Sequence, residues 1–110
     1  MSDARSTYFC RVMRKEQATQ RAAKRQAQAQ NFDPNGLAAP GHVYGLPYDG
    51  ESAEVVILPV PWEVTVSYAS GTARGPEAMR EASAQVDLYD PAVDQAWKMG
   101  LWMAPNPSKL

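Results

Sequence analysis

The segment between Pro61 and Gly75 contains most of the side chains in this chain that could do chemistry. It combines hydroxyl groups, aromatic rings and one carboxylate, carried by Trp62, Glu63, Thr65, Ser67, Tyr68, Ser70 and Thr72. Hydroxyls and a carboxylate accept hydrogen bonds, and an aromatic ring stacks on a flat cation. The combination suits a small cationic ligand with several donors, such as a guanidinium group. The same composition is also typical of an ordered connector that binds only itself.

A strand before this segment and a helix after it would position these side chains. The run from Val55 to Leu58 is continuously apolar, as in a strand covered on both faces of a parallel sheet, and Pro59 ends it. Pro76 and Glu77 suit the first turn of a helix. The inward stripe of this helix is predicted to be Ala78, Met79, Ala82 and Gln85. Ligands of open α/β sheets bind beyond the carboxyl ends of the strands, which places a site in this loop.

Two alternating patterns follow the predicted helix. The first, which predicts a brief strand or extended segment, places Val86, Leu88 and Tyr89 between Asp87 and Asp90. The second predicts a last strand and consists of Trp97, Met99, Leu101 and Met103. Residues 55–110 therefore form the predicted strand-loop-helix-strand unit.

Residues 1–30 predict a basic helical arm rich in Ala and Gln, which are favourable helix formers. The arm has seven basic and two acidic residues. Its apolar face comprises Tyr8, Phe9, Val12 and Met13, so we expect it to dock by its first half and to fray in its second. Residues 31–54 form a turn-rich connector, which we expect Tyr44, Leu46 and Tyr48 to pin against the domain.

Composition excludes several classes of protein. The net charge of −1 gives no overall attraction for nucleic acid or for a membrane surface, and the basic residues of the arm are interleaved with Gln and Ala and not with aromatics. We therefore expect neither partner. No apolar run approaches the roughly 20 residues of a membrane span, and no secretory signal is evident. One cysteine, Cys10, suits a reducing compartment, so we expect a cytoplasmic protein. The terminal Ser108-Lys109-Leu110 spells a peroxisomal signal, which we attribute to chance.

The order and spacing of the loop residues resemble the ureohydrolases, the arginase/agmatinase/formimidoylglutamase family. The resemblance covers roughly residues 32–103. It is carried by Leu58-Pro59-Val60-Pro61-Trp62, by the run from Ser67 to Ser83 (SYASGTARGPEAMREAS) and by Asp87-Leu88-Tyr89-Asp90, with Phe32-Asp33-Pro34-Asn35-Gly36 and Gly45-Leu46-Pro47-Tyr48 upstream.

This resemblance implies an α/β fold, specifically the amino-terminal fragment of a three-layer α/β/α domain with a parallel sheet, here preceded by the basic helix. It implies a trimer or hexamer in the complete enzyme. It also implies two Mn²⁺ ions, or Ni²⁺ in some relatives, which activate a water that hydrolyses a guanidino or formimino C–N bond. Arginine, agmatine, guanidinobutyrate, formimidoylglutamate and guanidine are the substrates of such enzymes.

The chain departs from the family in its metal ligands. The GGDH, DAHxD and SxDxDxxDP motifs that supply them are absent. His42 lies in none of these motifs, and Asp87, Asp90 and Asp94 have irregular spacing without a histidine partner. We therefore expect this chain to bind no metal, to contain no catalytic residue and to be inactive alone.

Three functional interpretations follow. In the first, the chain is part of an amidine hydrolase, and Trp62, Glu63, Thr65, Ser67 and Tyr68 wall the mouth of the active site or form a subunit contact. In the second, it is a non-catalytic subunit that docks on a full-length homologue. In the third, the loop from Gly71 to Gly75 cradles a phosphate at a helix amino terminus, although it lacks the lysine of a P-loop.

Overall fold

The structure is a computed structural model that describes the backbone of residues 4–107, together with their side chains except those of residues 5, 6 and 8. The regular elements are helix α1 (Ala4–Gln30), strand β1 (Val55–Ile57), helix α2 (Gly75–Ser83) and strand β2 (Leu101–Met103). Short 3₁₀ turns lie at Val43–Gly45, Thr72–Arg74 and Ala96–Met99. The terminal tripeptide with its targeting pattern falls outside the described residues.

Strands β1 and β2 pair in parallel, and Val55, Val56 and Ile57 lie opposite Leu101, Trp102 and Met103. Parallel neighbours require a long crossover, which residues 58–100 supply with α2 inside it. The predicted α/β arrangement is confirmed. The expected cover on both faces of β1 is not seen, since Val56 is 41% exposed. Two strands and one short helix have too little surface to enclose this strand from both sides.

Of the predicted brief strand or extended segment around Leu88, the strand does not form, and residues 87–90 belong to no regular element. Asp87 Oδ1 accepts a hydrogen bond from the backbone N–H of Tyr89 at 2.9 Å, and Asp90 Oδ1 accepts one from Ala92 at 2.8 Å. Hydrogen bonds that an aspartate accepts from the backbone N–H two residues further along the chain stabilise turns at the expense of strand pairing. The last strand was predicted correctly from Leu101 onward, whereas Trp97 and Met99 lie in a 3₁₀ turn.

The core forms around the connector between α1 and β1. Leu46, Tyr48 and Ala53 are buried at its centre. Partly buried apolar side chains surround them, namely Phe32, Tyr44, Leu88, Trp97, Leu101 and Trp102. The rings of Phe32 and Trp97 pack with their centroids 5.2 Å apart. The predicted pinning of this segment by Tyr44, Leu46 and Tyr48 is therefore confirmed, and the connector supplies the centre of the core.

Helix α1 docks by its carboxyl-terminal half, which contradicts the prediction. Arg25 forms an ion pair with Glu54 at 2.9 Å and donates to the carbonyl of Ser52 at 3.2 Å, while Lys24 pairs with Asp49 at 2.9 Å. In the other half Phe9 is 65% exposed. Among the predicted apolar residues, the side chain of Tyr8 falls outside the described part, and Val12 and Met13 are both at least partly exposed. The helix is held by charge because the facing segment is acidic.

Helix α2 packs by a polar edge, so its predicted apolar stripe is wrong. Ser83 is buried; its hydroxyl donates to the carbonyl of Arg80 at 2.7 Å and accepts from the N–H of Tyr44 at 2.8 Å. Arg80 donates to the carbonyl of Ala104 at 2.9 Å. The predicted stripe residues Ala78, Met79, Ala82 and Gln85 are all exposed. Within the described part of the chain, no helix is long and apolar enough to cross a membrane.

Candidate functional site

The candidate site is the loop that leaves the carboxyl end of β1 and leads into α2. Its first turn is a 2.8 Å bond from the N–H of Trp62 to the carbonyl of Val60. Of the five predicted site residues, Trp62, Thr65, Ser67 and Tyr68 are exposed, and the Tyr68 side chain is fully so. Glu63 alone is partly buried. The structure thus separates the predicted set into exposed side chains and one carboxylate at the base of the loop.

The Glu63 carboxylate binds the backbone of its own loop. Its Oε2 accepts hydrogen bonds from the N–H groups of Gly71 at 2.7 Å and Ala73 at 3.2 Å. These two backbone donors stabilise the charged form and lower the pKa of Glu63, and the nearby Arg74 guanidinium lowers it further. The carboxylate is therefore bound through Oε2 to the backbone at the start of α2.

Gly71 lets the chain turn back toward Glu63. Its φ of 140° lies outside the range that residues with a Cβ adopt readily. The 3₁₀ turn Thr72–Arg74 follows at once and continues into α2. Residues 63 and 71 therefore meet at the base of a closed loop, and residues 64–70 form its tip.

This geometry argues against the phosphate cradle. In that interpretation the free N–H groups around Gly71 would receive an anion. Two of them, those of Gly71 and Ala73, already donate to the Glu63 carboxylate. A phosphate at this position would have to displace a carboxylate belonging to the same chain.

The residues present do not fit the dinuclear metal centre of the ureohydrolases. Among residues 4–107, no group of three or more His, Cys, Asp or Glu side chains is placed to hold a metal ion. His42 is exposed in the connector, and Asp87 and Asp90 each accept a backbone hydrogen bond within a turn. We therefore derive no catalytic step through a metal for this chain.

A second polar cluster, which sequence reasoning missed, joins α1 to the connector. The Asp49 carboxylate accepts from Lys24 and Gln28 through Oδ2 and from the N–H groups of Glu51 and Ser52 through Oδ1. Burial of Asp49 acts to raise its pKa, but these hydrogen bonds outweigh burial and lower the pKa to about 2. The signal in the sequence was the opposite charge of the arm and of residues 49–54.

The fold and the loop together define an α/β unit, in which a parallel β-α-β crossover presents a closed loop at the end of its first strand. The sequence model of the arginase family matches residues 53–102. Residues 53–102 are therefore similar to the arginase family, and the predicted resemblance to the ureohydrolases is confirmed.

Curated relatives match over a short stretch. An N(1)-aminopropylagmatine ureohydrolase of Synechocystis sp. is 53% identical over 38 residues, which are 34% of this chain and 12% of the relative. An enzyme of the same name from Thermus thermophilus is 46% identical over 39 residues, or 36% of this chain and 13% of the relative. The chain thus matches about an eighth of the length of these relatives. No solved structure matches the chain significantly.

Proposed function

We propose that this chain supplies the first strand-loop-helix-strand unit of an arginase-family amidine hydrolase. The main support is that residues 53–102, which match the arginase-family model, coincide with the parallel β1–β2 crossover. The loop of this crossover lies at the carboxyl end of β1. In open α/β sheets this is the edge where ligands bind. The reaction is hydrolysis of a guanidino C–N bond that releases urea.

The substrate we propose is a linear guanidine with an alkylamine chain, of the agmatine type. The support is the name of the matched relatives, which act on N(1)-aminopropylagmatine. Trp62, Thr65, Ser67 and Tyr68 are the residues of this chain that we propose to contact the substrate or a neighbouring subunit, because their side chains are exposed on the loop.

The catalytic machinery lies elsewhere in the family domain under this proposal. We propose that a dinuclear manganese or nickel centre, a trimeric or hexameric assembly and a cytoplasmic location belong to the complete enzyme. The residues described here contribute no metal ligand set. The role of this chain is therefore structural and substrate-facing.

Urea release tests the proposal. The chain of 110 residues and the longest open reading frame that contains it, here the extended protein, would be assayed with agmatine, N(1)-aminopropylagmatine and arginine, with Mn²⁺ or Ni²⁺. We expect no urea from the 110-residue chain, and urea from the extended protein with a preference for the two alkylamine guanidines. Urea release by the 110-residue chain, or an extended protein inactive on all three guanidines, would refute the proposal.

A second function, docking on a full-length homologue without catalysis, is favoured by a different observation. The apolar side chains that directly follow β1 are exposed: Leu58 is 73% and Val60 64% accessible to solvent. Exposed apolar strands with free edges commonly pair with another chain. Size-exclusion chromatography with a full-length ureohydrolase would test it. Co-elution that is lost when Leu58 and Val60 are both replaced by Asp would support docking, and separate elution would reject it.

A further inference from the structure

We propose that Glu63 is a positioning residue that closes residues 63–71 into a preformed loop, instead of a carboxylate that pairs with a cationic ligand. The inference refines the predicted site, in which Glu63 was grouped with the ligand-facing side chains. Its relevance to substrate rests on the proposed function. The closure of the loop is independent of that function and can be measured on the chain itself.

The hydrogen bonds carry the inference. One oxygen of Glu63 accepts from two backbone N–H groups that lie eight and ten residues further along the chain, at 2.7 and 3.2 Å. Charge-assisted bonds of this kind are among the stronger hydrogen bonds in proteins. Arg74 is the cationic group that interacts with Glu63, and it too comes from the turn that follows the loop. The carboxylate therefore ties the start of the loop to the start of α2.

Closure determines what the loop presents outward. Its remaining side chains are uncharged aromatic, aliphatic and hydroxyl groups. Every residue from 64 to 70 is exposed, and so is Trp62 just before the loop. Because the single carboxylate is bound to the loop backbone, contact with a substrate or a neighbouring subunit is made through stacking, apolar packing and hydroxyl hydrogen bonds. The loop would then hold a flat or aliphatic part of a ligand, and any ammonium or guanidinium charge would be paired elsewhere.

Backbone amide NMR on the full 110-residue chain tests the closure. The variants are Glu63→Gln, which keeps an acceptor without the charge, and Glu63→Ala, which removes both. Glu81→Gln, on the exposed side of α2, is the matched control. In the parent chain we expect the Gly71 and Ala73 amide protons to shift on acidification, with a midpoint below the ordinary glutamate pKa of 4.5. Because the pKa is lowered, closure is complete at neutral pH and is lost only as the pH falls below that ordinary value.

Hydrogen exchange separates the variants. We expect Glu63→Ala to accelerate exchange of the Gly71 amide on the order of tenfold or more, the loss typical of a charge-assisted bond. Glu63→Gln should show a smaller acceleration and no pH-dependent shift at Gly71 or Ala73. Glu81→Gln should match the parent chain. This partial rescue by Gln distinguishes closure by the carboxylate from general destabilisation.

Several results would overturn the inference. The first is that the amide proton shifts of Gly71 and Ala73 do not change with pH. The second is that the Gly71 amide exchanges at the same rate in the parent chain and in all variants. If Glu63→Ala unfolds the chain, the inference is tested by the pH titration of the Gly71 and Ala73 amides in the parent chain and in Glu63→Gln. Urea assays of the extended protein report separately on the proposed function, so an inactive extended protein with a titrating Gly71 amide would refute the enzyme and leave the positioning role intact.

Discussion

Replacement of Asp49 should release the carboxyl-terminal half of α1 from the core. Its Oδ2 lies 2.9 Å from Lys24 Nζ and 3.4 Å from Gln28 Nε2, and its Oδ1 accepts the N–H groups of Glu51 at 2.9 Å and Ser52 at 3.0 Å. Asp49→Asn keeps an acceptor for the turn but loses the charge. Asp49→Ala loses both. The pair of variants therefore separates docking of the helix from stability of the turn.

The lowered pKa of Asp49 gives the size of the stabilisation that its charge contributes to the folded chain. A fall from 3.8 to about 2 corresponds to about 2 kcal/mol of stabilisation if it applied in full. The side chain is 43% exposed, so solvent screening reduces this to about 1 kcal/mol. Because the pKa is lowered in the folded state, the stabilisation is present above pH 3.8 and is lost as the pH falls toward 2.

We expect Asp49→Asn to lower the free energy of unfolding by about 1 kcal/mol at pH 7, and Asp49→Ala by about 1–2 kcal/mol more because two backbone donors lose their acceptor. Urea denaturation followed by helix circular dichroism would measure both, and hydrogen exchange would localise the loss to the last turns of α1. Glu51→Gln is the control, since Glu51 pairs with the same Lys24 but is 85% exposed. Its cost should stay below about 0.5 kcal/mol.

The decisive result is how the free energies of unfolding of the parent chain and of Asp49→Asn change with pH. The stabilities of the parent chain and of Asp49→Asn should converge as the pH is lowered from 4 toward 2. If the difference between them is unchanged over that range, the charge of Asp49 does not hold α1. If Asp49→Asn costs no more than Glu51→Gln at pH 7, the ion pair with Lys24 contributes nothing beyond an ordinary surface pair.

Three further outcomes are expected from single changes or additions. Gly71→Ala should weaken loop closure by about 1–2 kcal/mol because the φ of Gly71 is 140°. Gly75→Ala should be neutral or slightly stabilising, since Gly75 has a φ of −50° and open space around it. Hydrogen exchange of the loop amides would compare the two variants. Ser83→Ala should cost about 1–3 kcal/mol in urea denaturation because the N–H of Tyr44 loses its acceptor, while Ser70→Ala, on the exposed loop, should cost under about 0.5 kcal/mol. Isothermal titration with Mn²⁺ should show no stoichiometric binding to the 110-residue chain, and a tight one-to-one or two-to-one isotherm would contradict the absence of a ligand set in residues 4–107.

Local signals in the sequence were sufficient for the elements that flank the loop. β1 ends at Ile57, two residues before Pro59, which cannot donate to a strand ladder. α2 begins at Gly75 with Pro76 and Glu77 in its first turn, where the missing N–H of proline costs no hydrogen bond and a negative charge is favoured. The strands Val55–Ile57 and Leu101–Met103 lie within short apolar runs that predicted strands, but their pairing with each other was not predicted. The predicted features depend on residues that are close together in the chain.

The sequence predicts a site in the loop after β1, which stays a prediction, but it did not predict the hydrogen bonds of Glu63 to the loop backbone. The loop at the carboxyl end of a strand in an open α/β sheet is the expected place for a ligand, and exposed aromatic and hydroxyl side chains lie in this one. Whether a carboxylate faces outward or binds backbone eight residues away depends on how the loop closes. That closure requires the positive φ of Gly71, which no residue pattern specifies by itself.

Tertiary structure alone decided which half of α1 docks and which face of α2 is buried. Apolar residues such as Phe9 and Met79 predict contact only when a complementary surface lies opposite, and among residues 4–107 none covers these two side chains. Lys24 and Arg25 instead face an acidic segment, and Ser83 satisfies a buried N–H of the connector. The sequence determined the helices and strands through local backbone preferences. The contacts between them were set by which charges and hydrogen-bond donors the fold brought within about 3 Å of each other.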